Sequence, residues 1–216
     1  MTTAIIKPTV TTPAPKLTVA APKQLTTTPA ALACVKGSLQ QVAVATGKPL
    51  AKIILGVSAV VMIDTSWSMT TPDSEGNQSR YFVACRELAR LQMEMAGKIA
   101  VVSFDSEVKF CPTGQPAEPG GSTDLTAALE FCKKFDVGAI KFVVISDGDP
   151  DDRMTALQVA KTYRNPISCV FVGPTSGAGR QFLNELATNS NGQALEANQA
   201  RGLLPAMQRL LTVQAR

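Results

Sequence analysis

From residue 58 onward, short continuous apolar runs alternate with longer stretches of helical periodicity. The first run, residues 59–63, has no polar side chain, which is typical of a strand covered on both faces of a sheet. The same reasoning predicts strands at 99–104, 140–145 and 168–172, a short strand at 108–110, and helices at 79–95, 123–134, 152–163, 180–187 and 202–211. This alternation predicts an α/β fold with a doubly wound, mostly parallel sheet and helices on both faces. The connection into 108–110 is too short for a crossover, so we expect one short antiparallel edge strand there.

Polar side chains follow the predicted strands where ligands bind in such folds, beyond the carboxyl ends. Asp64, Ser66 and Ser68 follow the first strand in the pattern D-x-S-x-S, and Asp147 follows the strand that ends in V-V-I-S. Thr123 opens a helix, where its hydroxyl can point toward the same crevice. Two carboxylates and three hydroxyls are hard oxygen ligands, which suit Mg²⁺, Mn²⁺ or Ca²⁺ rather than zinc.

Three motifs, in this order and spacing, carry a family resemblance: D-T-S-W-S at 64–68, G-G-S-T-D-L at 120–125 and V-V-I-S-D-G at 143–148. They resemble the three parts of the metal-ion-dependent adhesion site (MIDAS) of von Willebrand factor A (vWA) domains, of the intracellular bacterial or phage type. The resemblance covers about residues 58–216 and implies the Rossmann-like vWA fold.

The resemblance also implies roles for the five polar residues. Ser66, Ser68 and Thr123 would be direct metal ligands, and Asp64 and Asp147 would bind directly or through water. In the family, a remaining coordination position often accepts a carboxylate from a partner protein. The expected function is therefore a non-enzymatic, metal-dependent protein-interaction module.

Other residues near the motifs allow more than one interpretation. Trp67 stands where the family commonly has a small residue, so its indole either packs against the helix that begins near Ser79 or lies on the rim of the site as an anchor for the partner. Asp149 and Asp124 are further candidates for that rim. Asp151 and Asp152 are expected to cap the following helix, where acidic groups favour the dipole.

A metal-dependent, phosphatase-like hydrolase is the enzymatic alternative, because Asp147-x-Asp149 after a strand also resembles the nucleophile motif of haloacid-dehalogenase-type phosphatases. That family needs a second acidic motif after a later strand, and residues 173–177 contain no acidic residue. The chain has no histidine and no GxxxxGK[ST] loop. We therefore predict that the protein is not an enzyme.

Residues 1–30 are rich in Thr, Pro, Ala and Lys, and such a segment is predicted to be an extended or disordered arm. Residues 1–63 contain six lysines and no acidic residue, so the arm is basic. It is either a solvated tether or a segment that orders against an acidic partner surface or within a larger assembly. Residues 31–57 are a connecting segment in which 39–44 and 53–55 either form extra strands or lead directly into the first core strand, and 58–216 form the vWA domain.

The expected partner is another protein that contacts the metal site. An AAA+ ATPase, a tellurite-resistance-like system and a large structural assembly such as a phage particle are the alternatives. Nucleic acid is a poor candidate, because the six lysines are scattered and lack arginine or aromatic neighbours. There is no predicted membrane span or secretory signal, and the five cysteines are widely spaced. These features favour a cytoplasmic protein, or a virion-associated one if it is encoded by a phage.

Overall fold

The computed structural model describes residues 34–148, 150–173, 178–197 and 202–212. A six-stranded sheet forms the centre of this part of the chain. Its strands are β1 (Ala59–Asp64), β2 (Ile99–Phe104), β3 (Val108–Phe110), β4 (Lys141–Ser146), β5 (Ile167–Phe171) and β6 (Ala194–Glu196). The helices are α1 (Leu39–Thr46), α2 (Leu50–Ile54), α3 (Arg80–Glu94), α4 (Leu125–Cys132), α5 (Arg153–Lys161), α6 (Ala178–Asn189) and α7 (Leu203–Thr212). Within the described ranges, none of the helices has the length and hydropathy of a membrane span.

The strand order is β3-β2-β1-β4-β5-β6, and every neighbouring pair is parallel except β2 with β3. This confirms the mostly parallel sheet and its antiparallel edge strand. The chain runs from β1 outward to β2 and β3, then returns to place β4 on the other side of β1. The order therefore reverses between β1 and β4, and in open α/β sheets this switch point opens a crevice at the carboxyl ends of the strands.

Helices cover both faces of the sheet, as the sequence predicts. Alternate residues of β1 point to opposite faces, so Val60 and Met62 join one core while Val61 and Ile63 join the other. The first core is completed by α4, α5 and α6, and the second by α3 and α7. All six residues of β1 are buried, which holds the loop after its last residue in a fixed position.

The prediction of extra strands within 31–57 is wrong, because the described part of that segment forms α1 and α2. The Ser38 hydroxyl accepts a hydrogen bond from the Gln41 amide at the start of α1, and Gly47 ends the helix with a left-handed φ of 64°. Leu39 is 1% exposed and belongs to the first core. The strand β6 was not predicted. The proposed arm, residues 1–30, lies outside the described residues.

Candidate functional site

The predicted site residues gather at the switch point of the sheet. Asp64 is the last residue of β1, and Asp147 directly follows β4, the parallel neighbour of β1. Gly148, with φ of 89°, brings the backbone after Asp147 against Gly179, where a Cβ on Gly148 would lie 2.4 Å from the Gly179 carbonyl oxygen. This close backbone contact with α6 fixes where Asp147 stands.

Asp64 is fully buried and held by donors on both carboxylate oxygens. Its Oδ1 accepts from the Ser66 amide at 2.8 Å, and its Oδ2 accepts from the Ser146 hydroxyl at 2.6 Å. Burial raises the pKa of Asp64 to about 6, and the negative charge of Asp147 adds a smaller effect in the same direction. The hydrogen bonds from Ser146 and Ser66 lower the pKa but do not outweigh burial. Ser146 also accepts from the Gly148 amide at 2.8 Å, so one buried hydroxyl joins the two carboxylate loops.

Three side-chain oxygens form a chain across the two loops. The Ser66 and Ser68 hydroxyl oxygens are 3.0 Å apart, and the Ser68 hydroxyl donates to Asp147 Oδ1 at 3.1 Å. Adjacent ligands of an octahedral Mg²⁺ at 2.0–2.1 Å lie about 3.0 Å apart. The spacing of these oxygens therefore fits neighbouring positions of a magnesium coordination shell. The described residues contain no group of three or more His, Cys, Asp or Glu side chains placed to hold a metal, so a cation here would need the hydroxyls.

Thr123 is buried, and among the described residues no hydrogen bond joins its side chain to this chain of oxygens. Its loop lies against the 64–68 loop, because the Gly120 amide donates to the Thr65 carbonyl at 2.7 Å and the Trp67 amide donates to the Gly121 carbonyl at 3.4 Å. The structure thus brings Asp64, Ser66, Ser68 and Asp147 into one network and places the loop of Thr123 beside it.

An arginine outside the predicted set of ligands also enters the site. Arg80, the first residue of α3, donates from Nη1 to Asp147 Oδ2 at 2.7 Å. Its Nε donates to Asp73 Oδ1 at 2.9 Å, and its Nη2 donates to Asp73 Oδ2 at 2.5 Å. The hydrogen bond with Arg80 lowers the pKa of Asp73, and the same pair raises the pKa of Arg80.

The rim residues have different environments. Trp67 is 66% exposed, so its indole is not buried against α3, and the rim interpretation remains. The Asp124 carboxylate accepts from the Ala127 amide at 2.9 Å as the N-cap of α4. Asp149 lies outside the described residues.

The two acidic residues expected to cap α5 have separate roles. Asp152 is the N-cap of α5 and accepts from the Thr155 amide at 3.0 Å, as predicted. Asp151 is not the cap: its carboxylate accepts from the Thr123 amide at 3.3 Å, and its own amide donates to the Thr123 carbonyl at 3.0 Å. Asp151 therefore connects the loop after β4 to the loop before α4.

Solved structures match the fold over 71% to 72% of the chain. An aerotolerance-related membrane protein from Bacteroides fragilis NCTC 9343, with multiple mutations to serines, matches with a TM-score of 0.56 and 16% identity over 72% of this chain and 98% of that chain. A von Willebrand factor type A protein from Catenulispora acidiphila matches with a TM-score of 0.51 and 15% identity over 71% of this chain. The chain has a von Willebrand factor A fold. The vWA match spans 41% of the Catenulispora chain, so that protein extends well beyond the shared fold.

A weaker match is proximal thread matrix protein 1 from the mussel byssus with a zinc-occupied MIDAS motif, with a TM-score of 0.47 and 14% identity over 72% of this chain and 45% of that chain. The likeness to the Catenulispora structure supports the vWA fold. No protein-family model matches the sequence, and no curated protein matches it.

Proposed function

We propose that this vWA-fold protein is a metal-dependent protein-interaction module that binds an acidic residue of a partner protein. The observation that carries the proposal is the oxygen chain Ser66–Ser68–Asp147 at the switch point, with spacings of 3.0 and 3.1 Å. These spacings are compatible with neighbouring ligands of an octahedral cation such as Mg²⁺ or Mn²⁺.

Each loop would contribute differently to cation binding. Ser66, Ser68 and Thr123 would supply neutral oxygens, and Asp147 would supply a charged one, directly or through water. Asp64 has donors on both oxygens, so it would act through water and keep the serine loop in place. A cation held mainly by neutral hydroxyls keeps a strong attraction for a further carboxylate, which the partner would provide.

Trp67 supports a protein rather than a small ligand as the bound partner. It is a large aromatic side chain, 66% exposed, and it lies between Ser66 and Ser68 in the sequence. Exposed aromatic residues beside a polar centre are typical anchors of protein interfaces, because they bury large areas with little loss of side-chain entropy.

The contacts of Asp147 argue against the hydrolase alternative. Nucleophilic attack needs a carboxylate oxygen free to approach its substrate. Asp147 Oδ1 accepts from Ser68, and Oδ2 is paired with a guanidinium at 2.7 Å. A carboxylate neutralised in this way is a poor nucleophile, so we propose a binding role and no catalysis.

The proposal is tested by calorimetric titration of the full chain with Mg²⁺ and with Mn²⁺, followed by pull-down with and without chelator. The full chain is needed because Leu39, in α1, belongs to the core. Asp147→Asn should abolish metal binding, while Glu185→Gln, a matched charge removal on the exposed face of α6, should not change it. A partner retained equally with chelator would refute the metal-dependent contact.

A further inference from the structure

We propose that the Arg80 guanidinium competes with the metal for the carboxylate of Asp147. When the metal is bound, the carboxylate of Asp73 would keep Arg80 paired. This inference rests on the proposed metal site and concerns its regulation. It predicts that the affinity for metal is set by residues outside the five predicted ligands.

The first support is the burial and pairing of Arg80. Its side chain is 9% exposed and the Asp147 side chain is 7% exposed, so the pair between Nη1 and Oδ2 is shielded from water. Shielded charge-assisted hydrogen bonds are stronger than those at the surface. A metal that takes Asp147 as a ligand must therefore weaken this pair or share the carboxylate with it.

The second support is the position of Arg80 in α3. Arg80 is the first residue of that helix, where the helix dipole disfavours a positive charge. The helix gains nothing from an arginine there, and Ser79 already caps it by accepting from the Phe82 amide at 3.1 Å. The favourable energy of Arg80 must come from its two carboxylate partners.

Arg80 also makes more hydrogen bonds to Asp73 than to Asp147. Asp73 receives two hydrogen bonds, from Nε and Nη2, and Asp147 receives one, from Nη1. Arg80 can therefore give up Asp147 and remain paired in a two-pronged contact with Asp73. The Asp73 side chain is 34% exposed, in the loop between β1 and α3, so this partner is more accessible than Asp147.

These contacts predict effects of opposite sign at the two positions. Without the positive charge of Arg80, Asp147 is free for the metal, so Arg80→Gln should bind Mg²⁺ about tenfold more tightly, the effect of one charge-assisted hydrogen bond. Without Asp73, the remaining carboxylate partner of Arg80 among the described residues is Asp147, so Asp73→Asn should bind Mg²⁺ several-fold more weakly. A purely structural role for Arg80 would instead make both variants bind metal less well.

The experiment is calorimetric titration of the full chain with Mg²⁺ and with Mn²⁺ at fixed ionic strength, for wild type, Arg80→Gln, Asp73→Asn and Arg90→Gln. Arg90 is the matched control, since it lies on the same helix with its side chain 53% exposed and pairs with Glu87 instead. Circular dichroism checks folding, and Asp73→Asn still tests the proposal if Arg80→Gln does not fold.

The outcomes separate this proposal from the proposed function. Tighter binding by Arg80→Gln, weaker binding by Asp73→Asn and no change in Arg90→Gln support it, as does binding by Arg80→Gln when wild type binds too weakly to detect. If wild type binds and Arg80→Gln binds equally or less well, or if Arg90→Gln tightens binding as much, this proposal is overturned and the metal site stands. If neither wild type nor Arg80→Gln binds, both proposals fall.

Discussion

Replacement of Ser146 by alanine should destabilise the protein by about 2 to 4 kcal/mol at pH 7. The Ser146 hydroxyl donates to Asp64 at 2.6 Å and accepts from the Gly148 amide at 2.8 Å, and Ser146 is 2% exposed. A hydrogen bond to a charged group contributes about 1.5 to 3 kcal/mol, and a buried amide left without an acceptor costs about 1 to 3 kcal/mol. The two effects share one site, so the expected total is below their simple sum.

Ser68→Ala provides the contrast, since it removes one hydroxyl from the same network. Ser68 is exposed, and water can replace its bonds to Ser66 and Asp147. We expect a change of less than about 0.5 kcal/mol in unfolding free energy, together with loss of metal binding. Urea unfolding in chelator measures the stability of both variants without a contribution from bound metal. Equal destabilisation by the two variants would refute the assignment of Ser146 as the buried support of Asp64.

Three further predictions concern stability and binding. Burial alone would raise the pKa of Asp136, but hydrogen bonds from the Arg164 backbone amide, the Lys133 ammonium and the backbone and side-chain amides of Asn165 lower it from 3.8 to about 2. Asp136→Asn should therefore reduce the free energy of unfolding by about 2 kcal/mol above pH 4. The difference in unfolding free energy between wild type and variant should shrink as the pH falls from 4 to 2, and a constant difference in urea unfolding across that range would contradict this prediction. Trp67→Ala should reduce capture of the partner about threefold to tenfold in a pull-down and leave Mg²⁺ affinity unchanged in calorimetry; loss of metal binding with the fold intact would count against its place on the rim. Gly179→Ala would place a Cβ 2.3 Å from the Asp147 carbonyl, so it should weaken Mg²⁺ binding in the same titration, and wild-type affinity would show that this contact does not position Asp147.

The central strands were predictable because they are buried on both faces. Residues 99–104 form β2 with the predicted bounds, and 59–63 forms β1 with Asp64 added. A strand covered on both sides needs a continuous apolar run, which few other structures require. The three-residue β6 has only partly buried side chains and no such run, so local sequence carried no signal for it.

Extra strands are one of the two alternatives that the sequence leaves open for 31–57, but the segment also carries helix caps. Ser38 followed three residues later by Gln41, with Gly47 after the apolar stretch, is a recognisable pattern for a helix start and stop. Those caps were present in the sequence and would have indicated α1.

The residues of the candidate site could be predicted from the motifs, but the ion pair between Arg80 and Asp147 could not. The motifs placed Asp64, Ser66, Ser68 and Asp147 together, because parallel strands bring their carboxyl ends to one edge. The pair between Arg80 and Asp147 joins residues far apart in the chain, and no spacing rule connects them. The local signal that could have selected Arg80 is its positive charge in the first turn of a helix, where a stabilising partner must lie elsewhere.

The proposed metal site can be observed by diffraction from crystals of the full chain soaked in Mn²⁺, with anomalous data collected at the manganese edge. We expect one strong anomalous peak at the switch point, between about 2.0 and 2.6 Å from Ser66 Oγ and Ser68 Oγ. Asp147 should lie in the same coordination shell, directly or through one water. Manganese bound only elsewhere, with Arg80 still paired to Asp147, would contradict the assignment of this crevice as a metal site.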